Sequence, residues 1–212
     1  IIYSLYINHI FIIIMKINFY FIRHGPSIHG ENTGINFVYK HITEYDPTLS
    51  INGVRNCLKL SKIVKKYPKM DYVISSPLMR AIMSSFFIFI NSNLKKKFSI
   101  EPYLSEMSIS KLSLKTNTPR SIEEQNELIK KMKKNLVKKI TRNELAYDKG
   151  ILVSPDLIKF INYFLYESNY KIKNELNVAV VTHSNLMVKS LKLKKKPKEN
   201  GIIKASVEIE NL

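Results

Sequence analysis

Chemically reactive side chains follow three segments of the chain that are rich in β-branched and aromatic residues. Arg23 and His24 come directly after the first segment, and His183 comes directly after the last one. Arg80 lies about one turn into a predicted helix that follows the second segment, which ends at Ser75. The carboxyl ends of parallel strands meet at one edge of a sheet, and ligands of open α/β sheets bind there. We therefore expect the two arginines and the two histidines to share one cleft.

Placing two arginines and two histidines in one cleft is energetically unfavourable unless an anion binds between them. A phosphoryl group fits, because its equatorial oxygens carry negative charge in the transition state and fixed cations stabilise that charge. A neutral imidazole can attack phosphorus when its other ring nitrogen donates to a backbone carbonyl. Gly25, beside His24, would let the backbone approach closely. Each feature alone has an ordinary structural explanation, and their order and placement together indicate phosphoryl transfer.

Strand-like and helix-like segments alternate along the chain, which predicts an α/β fold with a largely parallel, helix-covered sheet. Apolar, β-prone runs predict strands at Lys16–Ile22, Asp71–Ser75, Phe98–Glu101, Asn177–Thr182 and, at a sheet edge, Ala205–Glu210. Capping residues and periodicity predict helices from Ser50 to Tyr67, Ser76-Pro77 to Phe89, Ser121 to Thr141, and after Ser154-Pro155 and His183. The predicted apolar face of the helix after Ser154-Pro155 consists of Leu157, Ile158, Ile161, Phe164 and Leu165.

Five stretches of the chain resemble motifs of the histidine phosphatase superfamily, which includes the phosphoglycerate mutases. They are FIRHG at Phe21–Gly25, YDPTLSING at Tyr45–Gly53, DYVISSPLMRA at Asp71–Ala81, YLSE at Tyr103–Glu106 and VAVVTHSNLM at Val178–Met187. KASV at Lys204–Val207 is similar to the last strand of the family. The resemblance implies a three-layer α/β/α sandwich with a mostly parallel central sheet, of the phosphoglycerate mutase type.

The resemblance also implies roles for individual side chains. His24 would be the nucleophile that becomes phosphohistidine, while Arg23, Arg80 and His183 would hold the phosphoryl oxygens. Glu106 would protonate the leaving oxygen and then act as the base for the attacking water. The residues alone support Glu106 less well, because a carboxylate in an irregular loop is ordinarily a solvated one.

The chain departs from the family pattern after the first motif. Pro26 stands where the family often has Glu, and Ser27 keeps the hydroxyl that is expected to bind phosphate. Gly30 occupies the place of an Asn that contacts phosphate, for which Asn32 or His29 could substitute. The phosphate contacts of this loop are therefore expected to differ from those of the family.

A second departure concerns the paired arginines with which glycolytic mutases grip another anion. Arg120 and Arg142 are isolated, and the lysine runs at Lys130–Lys134 and Lys138-Lys139 resemble solvated helix faces. A mutase must retain its bisphosphorylated intermediate, whereas a phosphatase needs only access to water. We therefore expect a phosphatase that acts on a small phosphorylated substrate and needs no metal or cofactor. A phosphoprotein substrate, a bisphosphoglycerate-dependent mutase and a non-catalytic phospho-ligand or nucleic-acid binding protein remain alternatives.

The composition is that of one globular domain, with 212 residues of which 45% are hydrophobic. The formal charge is +17, from 34 basic and 17 acidic residues, and lysine dominates over arginine. Nucleic-acid recognition usually recruits more arginine, so a nucleic-acid partner is not expected. Cys57 is the single cysteine, which excludes an internal disulfide, and its place in an amphipathic segment favours a core residue over a nucleophile.

Residues 1–14 contain neither Lys nor Arg, and the first methionine is Met15. This segment lacks the basic start of a secretory signal and the run of about 20 apolar residues of a transmembrane helix. We expect it to be an extension outside the fold, so that the phosphatase domain comprises residues 15–212 and is cytoplasmic. A membrane anchor formed by residues 1–14 is the alternative.

Overall fold

The computed structural model describes residues 13–29, 45–89, 98–108, 116–133, 140–142, 154–167 and 175–211. Its centre is a six-stranded sheet with the strand order β4-β3-β2-β5-β1-β6. The strands are β1 (Ile13–Arg23), β2 (Tyr72–Ser75), β3 (Phe98–Ile100), β4 (Ile140–Arg142), β5 (Glu175–Thr182) and β6 (Ile202–Asn211). Neighbouring strands are parallel except at the edge, where β6 runs antiparallel to β1. The predicted, largely parallel sheet is confirmed.

Five α-helices accompany the sheet within the described residues. They are α1 (Ile51–Val64), α2 (Met79–Phe89), α3 (Ile122–Met132), α4 (Leu157–Asn162) and α5 (Ser184–Ser190), with a 3₁₀ turn at Pro102–Leu104 and a π-helical turn at Tyr163–Glu167. Two of the predicted caps are confirmed. Ser50 accepts the Gly53 N–H at the start of α1, and Ser121 forms a reciprocal capping box with Glu124 at the start of α3.

The two faces of the sheet are covered by different helices. One buried cluster joins Ile22 to the inner faces of α1, α2 and α3. The other joins Ile17, Phe19 and Phe21 to α4 and α5. Because successive side chains of a strand point to opposite faces, β1 supplies both cores. The three-layer α/β/α sandwich is therefore confirmed, and Cys57 lies fully buried in the first core, as predicted.

Three predicted helix boundaries were wrong. The helix after β2 begins at Met79, and the Ser76 hydroxyl accepts the Leu78 N–H at 3.3 Å without starting the helix. Helix α3 ends at Met132 because Lys133 is already extended, so it does not continue to Thr141, which lies in β4. Helix α4 is capped by Asp156, whose carboxylate accepts two backbone N–H groups.

The apolar face predicted for the region of α4 needs one correction. Leu157 and Phe164 are fully buried, whereas Ile158 is 63% exposed. The buried positions Leu157, Phe160 and Phe164 keep the i, i+3, i+7 spacing of a regular helix, and Ile158 lies beside that face. The π-helical turn begins only at Tyr163.

Strand β1 begins two residues before the predicted domain boundary, since Ile13 and Ile14 pair with Asn211 and Glu210 of β6. Residues 1–12 lie outside the described part of the chain, so their place outside the fold stays a prediction. The predicted irregular loop after Pro102 is described only in part. Across the described ranges, every helix is too short or too polar to cross a membrane.

The loop that carries His24 rests directly on the first turn of α1. The Pro26 carbonyl accepts from the Ser50 N–H at 3.0 Å and from the Ser50 hydroxyl at 3.3 Å. A Cβ atom added at Gly53 would overlap this carbonyl oxygen. Glycine at this position therefore allows the loop and the helix to touch.

We expect Gly53→Ala to destabilise the protein by about 1–3 kcal/mol, because the added methyl group displaces the loop from α1. In an unobstructed helix the same change would stabilise by about 1 kcal/mol, so the sign of the effect is informative. Chemical denaturation measures the free energy of unfolding, with Asn52→Ala at the neighbouring exposed position as the control. Equal or greater stability of Gly53→Ala would show that the close contact does not constrain the loop.

Candidate active site

Three adjacent strands bring the predicted residues together at one edge of the sheet. Strand β5 lies between β1 and β2, with Arg23 paired to Thr182 and Ser75 paired to Val181. The next residues along β1 and β5 are His24 and His183, and the centroids of their rings are 4.9 Å apart. The expectation that distant parts of the chain meet here agrees with this geometry.

His24 is held as a neutral imidazole with one free lone pair. Its Nδ1 lies 2.7 Å from the Gly25 carbonyl oxygen, which can only accept, so Nδ1 carries the proton and Nε2 carries the lone pair. Burial, followed by the charge of Arg80, lowers the pKa of His24 well below the ordinary 6.5. The Gly25 N–H donates to the Ser84 hydroxyl at 2.9 Å, which fixes the carbonyl that orients the ring.

His183 is fully buried at the end of β5. Its Nε2 lies 2.7 Å from the Ser76 hydroxyl, and its Nδ1 has no hydrogen-bond partner among the described residues. Burial, then Arg80 and His24, lowers the pKa of His183 well below 6.5. A buried polar atom without a protein partner is costly, and a bound oxyanion could satisfy this one.

Arg80 is buried and anchored from outside the site. Its guanidinium donates to the Thr116 carbonyl at 3.1 Å and to the Asn117 side chain at 2.8 Å. The pKa shifts of His24, His183 and Glu106 all include the charge of Arg80, which places this guanidinium among them. Neither Thr116 nor Asn117 was predicted, since a Thr-Asn pair in an irregular loop carries no distinctive sequence signal.

Arg23 is held by the turn that precedes β6. It donates to the Pro197 carbonyl at 2.9 Å and lies 3.6 Å from the Glu199 carboxylate. Its Nε is buried and has no hydrogen-bond partner among the described residues. Sequence reasoning missed Pro197 and Glu199, because a Lys-rich turn far along the chain does not indicate contact with the first strand.

Glu106 is half-buried beside the start of α5. Its carboxylate accepts the N–H groups of Met107 at 2.9 Å, Leu186 at 3.3 Å and Asn185 at 3.5 Å. Burial raises the pKa of Glu106, although Arg80 and these N–H groups favour the ionised form. These contacts tie Glu106 to the first turn of α5, the helix that directly follows His183.

The predicted loop contacts are described only in part. Ser27 is buried and pairs through its backbone with Leu49, and its role in phosphate binding stays a prediction. His29 is buried, whereas Gly30 and Asn32 lie outside the described residues. Within the described ranges no group of three or more His, Cys, Asp or Glu side chains is arranged to hold a metal ion.

Asp46 is a fully buried carboxylate that sequence reasoning did not single out. It accepts the Met79 N–H at 2.9 Å and the Arg120 N–H at 3.1 Å. Met79 begins α2, which carries Arg80, and Arg120 follows the segment 116–117 that holds the Arg80 guanidinium. The Asp46 carboxylate therefore holds both the start of the helix that carries Arg80 and the chain next to the segment that binds the Arg80 guanidinium. Burial raises the pKa of Asp46 to about 6, so the carboxylate is ionised at neutral pH.

Solved structures with the same architecture include two phosphatases and a hydrolase. A mycobacterial hydrolase matches with a TM-score of 0.53 at 15% identity, covering 90% of this chain and 82% of its own. A mycobacterial glucosyl-3-phosphoglycerate phosphatase matches with a TM-score of 0.50 at 14% identity, covering 90% of each chain. The α-ribazole phosphatase of Shigella flexneri matches with a TM-score of 0.50 at 14% identity, covering 91% of this chain and 90% of its own.

No protein-family model matches the chain, and the comparison with curated proteins found no match. The structural likeness concerns nearly the whole length of each chain. The chain has the phosphoglycerate mutase-like fold of the histidine phosphatases, as its sequence motifs implied.

We expect Asp46→Asn to weaken the affinity for inorganic phosphate about tenfold, which corresponds to about 1.4 kcal/mol. An asparagine side chain can accept only through its oxygen, so one of the two backbone N–H groups loses its acceptor and Arg80 loses part of its anchorage. The unpaired N–H also costs about 1–3 kcal/mol of stability. Calorimetric titration with phosphate gives the affinity, and denaturation gives the stability.

Ser121→Ala is the matched control for this variant. It removes the capping box of α3, at a cost of about 1 kcal/mol, without touching either bond of Asp46. If Ser121→Ala weakened phosphate binding as much as Asp46→Asn did, the effect of Asp46 would be one of general stability and not of Arg80 placement.

Proposed function

We propose that this chain is a phosphatase that hydrolyses a phosphate monoester through a phosphohistidine intermediate on His24. The observation that carries the proposal is the state of His24: buried, neutral and oriented by the Gly25 carbonyl, so that its Nε2 lone pair is available as a nucleophile. The surroundings are cationic, because Arg23 and Arg80 flank the two rings. The names of the phosphatases that share the fold agree with this activity.

In the first step, Nε2 of His24 attacks phosphorus and the ester bond from phosphorus to the leaving oxygen breaks. Arg23, Arg80 and His183 stabilise the equatorial oxygens, where charge is greatest. The His183 Nδ1 and the Arg23 Nε are the buried polar atoms that these oxygens would satisfy. Glu106 donates a proton to the leaving oxygen, for which its raised pKa is favourable.

In the second step, the ionised Glu106 takes a proton from a water molecule whose oxygen attacks phosphorus. The bond between phosphorus and Nε2 breaks, and its electron pair returns to the imidazole. Inorganic phosphate leaves, and Glu106 is protonated again for the next cycle. Nδ1 keeps its proton and donates it to the Gly25 carbonyl throughout, so the ring accepts the phosphoryl group at Nε2 only.

The mutase alternative requires a second anion site, and the two arginines considered for it in the sequence, Arg120 and Arg142, are engaged in other contacts. Arg120 donates to the Tyr45 carbonyl at 2.9 Å and lies over the Tyr45 ring, and Arg142 donates to Asn126 at 2.9 Å. The non-catalytic alternative does not explain the His24 hydrogen bond, because a binding site has no need of a nucleophile with a fixed tautomer.

His24→Ala should abolish both hydrolysis of nitrophenyl phosphate and the acid-labile, base-stable phosphoenzyme. Mass spectrometry of a rapidly quenched reaction measures the phosphoenzyme. Cys57→Ala is the control, because burial raises the pKa of this thiol to about 11 and keeps it from acting as a nucleophile. Wild-type levels of phosphoenzyme in His24→Ala, or their loss in Cys57→Ala, would contradict the assignment.

Glu106→Gln should slow the hydrolysis of alkyl phosphates by about 10²–10⁴-fold and that of activated aryl phosphates far less. Only a poor leaving group needs to be protonated as it departs. The measurement is the dependence of kcat/KM on the pKa of the leaving alcohol, which should become steeper. The ratio kcat/KM reports the first step, whereas kcat also contains the water attack in which Glu106 is the base. Glu127→Gln, an exposed change of the same type, should leave this dependence unaltered. An equal loss of kcat/KM on all substrates would show that Glu106 is not the general acid.

The same enzyme preparation separates phosphatase from mutase. Incubation with 3-phosphoglycerate should give either no reaction or free phosphate, and 2,3-bisphosphoglycerate should not be needed for turnover. Interconversion of the two phosphoglycerates faster than phosphate release would show that the protein is a mutase and not a phosphatase. The role of His24 as the nucleophile would be the same.

A further inference from the structure

A strongly basic turn lies between α5 and β6. We call residues 192–198 the lysine turn, because five of its seven residues are exposed lysines: Lys192, Lys194, Lys195, Lys196 and Lys198. The turn is not a helix face, so the regular spacing of a solvated helix does not explain the run. The proposed mechanism does not use any of these lysines.

The lysine turn is fastened to the end of β1, directly beside His24. Arg23 donates through its side chain to the Pro197 carbonyl at 2.9 Å, and Lys196 and Lys198 flank that carbonyl in sequence. The backbone is tied at the same place, since the Asn200 N–H donates to the Arg23 carbonyl and the Arg23 N–H donates to the Gly201 carbonyl, both at 3.1 Å. The turn therefore borders the active site in a defined position.

The positive charge of the lysine turn is not neutralised. The adjacent carboxylate, Glu199, lies 3.6 Å from the Arg23 guanidinium and pairs with it instead of with a lysine of the turn. In the described part of the chain, no Asp or Glu forms an ion pair with any of the five lysines. Lysines elsewhere do pair, as Lys130 does with Glu127. Clustered like charges repel one another, and an anionic partner would relieve that repulsion.

We propose that the lysine turn binds the acidic residues of a phosphopeptide substrate whose phosphate enters the site of His24. This proposal rests on the phosphatase activity proposed above and names its substrate class. Five exposed positive charges exceed the charge of about −1.5 to −2 on one phosphate group, which suits a polyanion better than a small phosphate ester. Lysines are solvated point charges that select charge density and not a particular shape. The turn contains no arginine and no aromatic residue to stack on bases, which favours a peptide over a nucleic acid.

Two phosphotyrosine peptides of equal length test the proposal, one with glutamates on both sides of the phosphotyrosine and one with glutamines in the same places. We expect kcat/KM to be at least about tenfold higher for the acidic peptide, since such fields raise encounter rates by about 10- to 10³-fold. The preference should shrink as ionic strength rises from about 0.05 to 0.3 M, because the lysines are exposed and screened. Nitrophenyl phosphate serves as the reference substrate without a peptide.

The triple variant Lys195→Gln, Lys196→Gln and Lys198→Gln should reduce the preference towards equality. Lys62→Gln, Lys65→Gln and Lys66→Gln together are the matched control, with the same loss of charge from exposed lysines. They lie at the far end of α1, whose first turn contacts the His24 loop, and 14 residues of helix separate the two ends by about 20 Å. This control should keep both the preference and the rate on nitrophenyl phosphate.

Failure of this proposal differs from failure of the proposed function. If nitrophenyl phosphate is hydrolysed through His24 but both peptides react equally, or neither reacts, the phosphatase stands and the peptide substrate is overturned. The same follows if the control variant lowers the preference as much as the lysine-turn variant. A lysine-dependent preference for a 5′-phosphorylated oligonucleotide over the acidic peptide would also overturn the proposal, in favour of a nucleic acid. If no ester is hydrolysed, both proposals fail.

Discussion

The backbone hydrogen bond from the His24 N–H to the Thr182 carbonyl, 3.0 Å long, joins the ends of β1 and β5. Each strand continues with a histidine at its next position, so this pairing determines that the two rings lie 4.9 Å apart. The surrounding contacts then orient the rings, with Gly25 accepting from the first and Ser76 contacting the second. The geometry of the candidate site is in this sense a consequence of strand register.

Burial and positive charge act together on that geometry. Burial and the Arg80 guanidinium lower the pKa of both histidines, so the rings are neutral where a phosphoryl acceptor needs a lone pair. The buried guanidinium is itself stabilised by a carbonyl, an amide and the nearby Asp46. The contact between Asp46 and the start of α2 extends this network away from the reacting groups. This cationic pocket thus depends on one buried anion, Asp46, to hold its buried guanidinium.

The sequence predicted the features that depend on short stretches of chain. The Ser121–Glu124 capping box and the Ser50 cap are set by residues three apart, and both formed as predicted. The predicted start of α2 at Ser76 failed because Ser76 contacts His183, 107 residues away, and α2 begins only at Met79. The predicted length of α3 failed because Ile140 to Arg142 pair with β3 as an edge strand. At these two helix boundaries, contacts between distant parts of the chain prevailed over local preference.

The sequence by itself determined the order of strands and helices, the largely parallel sheet and the identity of the residues at the strand ends. Periodicity, helix caps and motifs each depend on residues that are close together in the chain. It did not determine what holds those residues. Arg23 is bound by a turn 174 residues away, Arg80 by a loop 36 residues away and α2 by Asp46, 33 residues before it. Tertiary structure alone decided these contacts, since a hydrogen bond between distant segments depends on how the whole sheet aligns them.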